Sequence, residues 1–398
     1  VGLVQREPHR VFVGGTEGGL RRMGNEWLGH GQARKCSKRP GPARYAGRMQ
    51  DALFPEAPSA TMPATMPAAK PASKPGSKIQ AQPADASIQA LAAQLPQALR
   101  LGTSSWAYPG WAGQVWQRAY PASALSRQGL GAYSQHPLLR AVGIDRSFYQ
   151  PLQASQYERY AAQVPADFRF TVKAPSLVTD ALLRDAQGRG GRSNSAFLDP
   201  ALALQEFVRP AIEGLGDKIG ALVFQLSPLS PALLARRGEV LDRLHAMLSA
   251  LPRLDGPASI AVELRDPELL CEDLVALLRD TGVRYCLGLH AKLPALQEQL
   301  WILRRLWPAP LVCRWNLHRR FGPFGYQEAL RRYGDFEALQ DPDLPTRALL
   351  AHVIRGTAAA GLPCQVTISN EAEGSAPASV LALAQEVLNV VDAAAPKA

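Results

Sequence analysis

Four cationic residues, Arg146, Lys173, Arg265 and Arg314, fall at or just past the ends of short apolar runs in this 398-residue chain. Carboxylates keep them company at Asp145, Glu263, Glu371 and Glu373, and amides at Gln225, Asn316 and Asn370. Lysine and arginine can neutralise a phosphate or carboxylate, and the guanidinium fork matches two oxygens at once. Glu263 and Glu373 are candidates for general acid or base, a role that requires burial to raise a carboxyl pKa toward neutrality. Lys173 can also form a Schiff base if nearby cations lower its pKa. These three make the candidate catalytic set. The candidate ligand-binding set is Ser105, Trp106, Ser147, Tyr149, Arg265, Arg314, Asn316 and Asn370. In that set the amides would orient a ligand, while Trp106 and Tyr149 would stack on a base or sugar. Each also has a plainer reading. A pair such as Glu263 and Arg265 can simply close the end of a barrel, and aromatics at this spacing can pack its rim. Ser104 and Ser105 lie in GTSSW without a GxSxG elbow, so they read as loop-ordering residues rather than nucleophiles.

These residues need elements that bring them together. Eight short apolar runs read as strands, at 98–104, 140–145, 168–173, 220–226, 258–264, 283–289, 310–315 and 364–369. Between them lie helical patterns at 122–136, 154–163, 199–214, 231–250, 267–281, 294–306, 326–359 with a break near 342–345, and 377–393. Val240, Leu244, Met247 and Leu248 show the spacing of one buried helix face. Strand and helix in alternation predict a parallel α/β fold. Eight units in about 300 residues fit a closed β/α barrel of the TIM type. An open doubly wound sheet is the alternative, but no GxGxxG turn follows the first strand. In the barrel, every strand-end residue above would converge on the C-terminal mouth. Two long connections, 174–198 with its QGRGGRSN stretch and 316–326, would lie on that same face as lids or substrate loops.

Seven ordered motifs carry a resemblance to a known family. They are GTSSWAYPGWAG at 102–113, IDRSFYQP at 144–151, FRFTVKAP at 168–175, LVFQLSP at 222–228, AVELRDP at 261–267, LVCRWNLHRR at 311–320 and SNEAEGSAP at 369–377. From about residue 99 to 393 the chain resembles the DUF72 (YecE-like) family. That resemblance implies a TIM barrel, distantly similar to the barrel of the endonuclease IV group, and carries no reaction with it. The chain departs from the family pattern in three places: Asp145 and Arg146 stand where an Asn commonly precedes the Ser-x-Phe-Tyr segment, Ser369 replaces an Asn, and Glu371 sits where Lys or Asp is common. The departures touch ligand contacts and leave the fold expectation intact. A zinc-rich centre of the endonuclease IV kind needs a dense set of His, Asp and Glu ligands. With seven His in the chain, and only His290 and His318 at strand ends, no multi-zinc site is expected. One Mg²⁺ held by Glu263 or Glu373 together with ligand oxygens remains open.

Charge and composition bound the partners. The net charge is +10, yet residues 1–97 hold 13 Lys and Arg against 6 acids, while the rest of the chain holds 31 against 28. The basic excess therefore belongs mostly to the first quarter, where 53–86 is built largely from Pro, Ala, Ser and Lys. Residues 1–97 are accordingly expected to be a disordered extension and linker, with a single barrel domain at 98–398. The first residue is Val; processing or an over-extended reading frame, with Met49 or Met62 as the start, would account for that. No apolar run reaches the length of a membrane span, and no signal-peptide core is visible near the start. The five cysteines show no metal-type spacing and suit a reducing cytoplasm. Three functional classes follow: an enzyme acting on a small anionic ligand, a non-catalytic nucleic-acid binder using the mouth and the basic tail, and an interaction module with structural rim residues.

Overall fold

Apolar residues on both parities of a short run are what a strand buried on both faces requires. In the computed structural model, which describes residues 78–389 except 185–189 and 323–324, all eight expected runs become strands. They are β1 (Leu99–Thr103), β2 (Ala141–Ile144), β3 (Arg169–Lys173), β4 (Ile219–Gln225), β5 (Ser259–Glu263), β6 (Arg284–Leu289), β7 (Leu311–Trp315) and β8 (Cys364–Ile368). Each pairs in parallel with its sequence neighbours, and β1 closes the barrel on β8 from Leu99 opposite Cys364 to Thr103 opposite Ile368. Gly102 permits the tight contact of β1 with β2, since a Cβ there would lie 1.8 Å from the Ala141 carbonyl oxygen.

The two faces of the strands build two different cores. Outward residues such as Leu222, Phe224, Val262, Leu287 and Cys313 join the large core beneath the helices. The inward parity is small: Ala221, Val223, Ala261, Cys286 and Val312 form a separate cluster inside the barrel. Small side chains fill the narrow lumen, and the same parity, followed upward along each strand, delivers the polar residues to the mouth. The Arg237–Ser249 helix buries Val240, Leu244, Met247 and Leu248 as their spacing predicts, together with Leu241.

Two differences from the expected elements have physical causes. The fold begins well before residue 98. Ile79 is buried in the main core, Gln82 donates its backbone N–H to the Val115 carbonyl at 2.8 Å, and Asp85 caps a helix at Ala86–Gln94 by accepting from the Ile88 N–H at 2.8 Å. The Pro/Ala-rich composition masked these anchors, because a single buried Ile and one cap leave no periodic signature. Residues 1–77, which carry the rest of the expected extension, Cys36 and the candidate starts, lie outside the described residues. The 326–359 pattern breaks as expected, into Tyr326–Tyr333 and Leu344–Ala359; Asp343 caps the second helix and Pro345 occupies its first turn. The 174–198 connection holds a short helix, Ser176–Thr179, and an antiparallel pair of Leu182–Arg184 with Gly190–Ser193. Part of its Gly/Arg stretch is outside the described residues.

Candidate functional site

Because side chains alternate along a strand, Asp145, Lys173, Gln225, Glu263 and Arg314 share the inward parity of β2, β3, β4, β5 and β7 at their C-terminal ends. Register reinforces this: Gln225 stands beside Glu263, and Arg314 lies between Gly288 of β6 and Thr367 of β8.

Arg314 is the centre of the arrangement. It is almost fully buried; its Nη1 donates to Glu263 Oε2 at 2.7 Å and to Gln225 Oε1 at 3.0 Å. Its Nη2 reaches both oxygens of Asp145, at 2.9 and 2.8 Å. Arg265 supplies a second guanidinium, with Nη2 2.7 Å from Glu263 Oε1 and donating to Gln225 Oε1 at 2.9 Å. Asn316 Nδ2 completes the shell of Glu263 at 3.1 Å from Oε1. Gly288 leaves room for this carboxylate, since a Cβ there would approach Glu263 Oε1 to 3.4 Å and Leu293 Cδ1 to 2.9 Å.

The electrostatics follow from that geometry. Burial alone would raise the pKa of Glu263, but Arg265 and Arg314 outweigh it and hold the carboxyl below its ordinary range. Burial likewise opposes the charge of Arg314, and the facing Asp145 and Glu263 overcome it, so the guanidinium stays charged. Glu263 is therefore a fixed anion clamped by two cations, a poor general base. The same two cations disfavour a metal ion at its oxygens. Among the described residues, no group of three or more His, Cys, Asp or Glu is placed to hold a metal.

Lys173 is different. Its Nζ lies 3.4 Å above the centre of the Phe148 ring and has no hydrogen-bond or ion-pair partner among the described residues. Burial pulls its pKa down to about 8; Asp145 works against that fall, and Arg314 and Arg265 add to it. Lys173 itself is half-buried, whereas Arg265 Nη1 is fully buried without an acceptor, on a side chain only 7% exposed. The Arg265 charge is felt by Lys173 and also by His290. His290 is buried, accepts the Lys292 N–H on Nδ1 at 3.0 Å, and is held neutral by burial and by Arg265, its pKa falling to about 3. Its proton therefore resides on Nε2.

The remaining expected residues separate into mouth and support. Ser147 is fully buried, and its hydroxyl donates to the carbonyls of Lys173 at 2.6 Å and Ile144 at 3.1 Å. It ties the exit of β2 to the end of β3 rather than facing a ligand. Glu373 is turned away from the mouth cluster: Oε1 accepts from Arg347 Nη2 at 2.6 Å and from the Asp343 N–H at 2.7 Å, anchoring the outer helix Leu344–Ala359. A residue three positions past a short helix start points across that helix, a turn the strand-end reading could not foresee. Asn370 Oδ1 accepts from the Ala376 N–H at 2.8 Å and Trp111 Nε1 at 3.2 Å, while its Nδ2 is buried without a partner. Trp106 packs edge-on against Tyr160 with ring centres 5.4 Å apart, and Tyr149 is 47% exposed at the rim beside Phe148. Ser105 is buried and accepts the Thr103 hydroxyl on its carbonyl at 2.6 Å.

Asp145, Gln225 and Glu371 stand outside the expected set and inside the site. Inward parity could have singled out the first two, since Ala141 and Gly143 below Asp145, and Ala221 and Val223 below Gln225, mark the lumen face. Glu371 is half-buried, and burial raises its pKa, with the Asp145 charge adding to the rise. The same two charges act on the Tyr108 hydroxyl, whose pKa burial drives up. Nothing in the local sequence SNEAEG distinguishes Glu371 from Glu373; only the fold does.

A family model described as a protein of unknown function, DUF72, matches residues 100–398. Among curated proteins none matches. Solved structures with a similar chain path include a DUF72 family protein of Thermotoga maritima MSB8, 18% identical, covering 74% of this chain and 99% of that one at a TM-score of 0.47. A DUF72 family protein of Enterococcus faecalis V583 is 16% identical, with 73% and 95% of the two chains covered and a TM-score of 0.46.

Proposed function

The chain belongs to the DUF72 family, and we propose that it is an enzyme whose barrel mouth binds a small anionic ligand, one bearing a phosphate or carboxylate. One observation carries this reading. After Asp145 and Glu263 are satisfied by Arg314 and Arg265, two cationic donors, Lys173 Nζ and Arg265 Nη1, remain without acceptors. A donor left without an acceptor away from water is unfavourable by about 1–3 kcal/mol. An anion seated between these donors offsets that penalty, which is the usual reason to leave such groups unpaired. The internal ion pairs position the donors; they do not consume them. Glu371, with its raised pKa, is the proton-handling group of this reading, in place of Glu373 and Glu263.

Two unpaired donors within one cluster of ion pairs suit a small molecule, a nucleotide fragment included, better than a continuous strand of nucleic acid. The unpaired thiols Cys271, Cys286, Cys313 and Cys364 are consistent with a reducing cytoplasm. Among the described residues no helix is long and apolar enough to cross a membrane.

Thermal unfolding and calorimetric titration of the full chain test the proposal. Inorganic phosphate and malonate should raise the unfolding midpoint saturably, and neutral glycerol at matched concentration should not. Lys173→Ala should fold with an unchanged or higher midpoint and bind phosphate about ten-fold more weakly, a loss of about 1.4 kcal/mol. Equal binding by the variant would remove Lys173, and with it the proposed site.

A further inference from the structure

We propose that Lys173 is an imine-forming amine, condensing through Nζ with the carbonyl group of a small substrate that also bears the carboxylate or phosphate held at the mouth. This rests on the anion-binding reading above and adds to it the substrate class, a 2-oxo acid or a phosphorylated aldehyde or ketone.

The argument starts from what the amine lacks. An ammonium within a cluster of carboxylates ordinarily pairs with one of them. Here both nearby acids are already held: Asp145 by Arg314 Nη2 through both oxygens, and Glu263 by Arg314, Arg265 and Asn316. Five charge-assisted contacts thus keep the carboxylates off Lys173 and leave its nitrogen free to bond to carbon. The Phe148 ring fixes the nitrogen through its face, at 3.4 Å, without taking up a hydrogen-bonding position. The Ser147 hydroxyl clamps the Lys173 carbonyl, so the strand end that aims the side chain is itself held. The fall of the Lys173 pKa to about 8 makes the neutral amine accessible near physiological pH, where an ordinary lysine is almost wholly protonated. Arg265 Nη1, with no acceptor of its own, is placed to take the anionic end of the substrate.

The step balances without an oxidant or a second reactant. Lys173 gives up one proton, and its lone pair forms the N–C bond as the carbonyl π pair moves onto oxygen, which is protonated to give a carbinolamine. The nitrogen then loses a second proton, the oxygen gains one and leaves as water, and protonated imine replaces ammonium and carbonyl. The net change is ammonium plus carbonyl to iminium plus water, with charge conserved. Water relays the protons given up by nitrogen to the departing oxygen, so no further group of the chain is consumed.

Reductive trapping tests this. The full chain is incubated at pH 7 with pyruvate, or with glyceraldehyde 3-phosphate, and sodium cyanoborohydride, followed by intact mass measurement and peptide mapping. With pyruvate the expected result is one adduct, the mass of the acid less one oxygen, on Lys173. It should form on the order of ten-fold or more faster than on any other lysine, Lys218 included, since Lys218 donates to the Ala161 and Val164 carbonyls. Excess inorganic phosphate should slow it, and Lys173→Arg, which keeps the charge but offers no imine-forming amine, should lose the adduct while retaining the phosphate-induced rise in midpoint. Labelling of Lys173 no faster than of Lys218, with that midpoint shift intact, would overturn the imine and leave the anion site standing. Loss of the midpoint shift together with the adduct would overturn both.

Discussion

At the scale of single residues, the mouth is a set of charges whose pairing decides their chemistry. Glu263 is wholly buried and held by two guanidiniums, so Glu263→Gln removes one charge and leaves two buried cations short of a partner. Breaking a buried pair from one side is destabilising by about 3–5 kcal/mol, and urea unfolding of the variant should show a loss of that order. The pH dependence has a definite sign. A carboxyl held below its ordinary pKa gives stability that is present above about pH 4 and is lost as pH falls through the lower folded value, so wild type should lose its advantage over Glu263→Gln in acid. Lys173 runs the other way. Its folded pKa of about 8 is below that of an unfolded lysine, so the unfolded chain binds the extra proton between roughly pH 8 and 10 and stability rises with pH across that window. Lys173→Met, which lacks the titration, should be at least as stable as wild type at pH 7, and wild type should gain on it as pH rises. A constant difference from pH 7 to pH 10 would mean that Lys173 is solvated.

At the scale of elements, the placement of each charge was legible where it follows from strand parity and hidden where it follows from a turn. Lys173, Glu263 and Arg314 end strands whose apolar pattern is plain, and their convergence could be read from the sequence. Glu373 and Glu371 sit in the short Asn370–Glu373 helix, where two positions of difference turn one carboxylate outward to Arg347 and the other to the mouth. Period-two reasoning stops at the strand end, so it could not rank them. Ser147 was misplaced for the same reason: it lies in the turn Arg146–Tyr149, where its hydroxyl meets carbonyls of β2 and β3. The segment before β1 shows the opposite limit. Composition hid an anchor in which Ile79 packs into the core and the Gln80 carbonyl accepts the Gln117 N–H at 3.2 Å. Ile79→Ala in the full chain should lower stability by about 2 kcal/mol or more, read by chemical denaturation. A change below a few tenths of a kcal/mol would show that this segment is not part of the folding unit.

At the scale of the whole molecule, the alternation of eight strands with helices made the closed barrel readable, because a parallel strand buried on both faces and a helix buried on one leave distinct apolar periods. The site's chemistry was less readable, since it depends on which charges cancel across the lumen, and β2 and β7, which carry Asp145 and Arg314, are 169 positions apart in sequence at that contact. Charge is uneven at the two ends of the barrel as well. Arg100, Arg140 and Arg169 gather at the N-terminal end with Asp167, and burial together with the neighbouring arginines draws the Arg100 pKa down to about 10. An anion attracted only by positive charge would find that end as readily as the mouth, so position separates a built site from a general attraction. The most direct test is a crystal structure of the full chain soaked in tungstate, a heavy-atom mimic of phosphate, with anomalous data. The strongest tungsten peak should lie at the C-terminal mouth, within hydrogen-bond distance of Lys173 Nζ and in reach of Arg265 Nη1. An empty mouth with tungsten among Arg100, Arg140 and Arg169 would contradict the account.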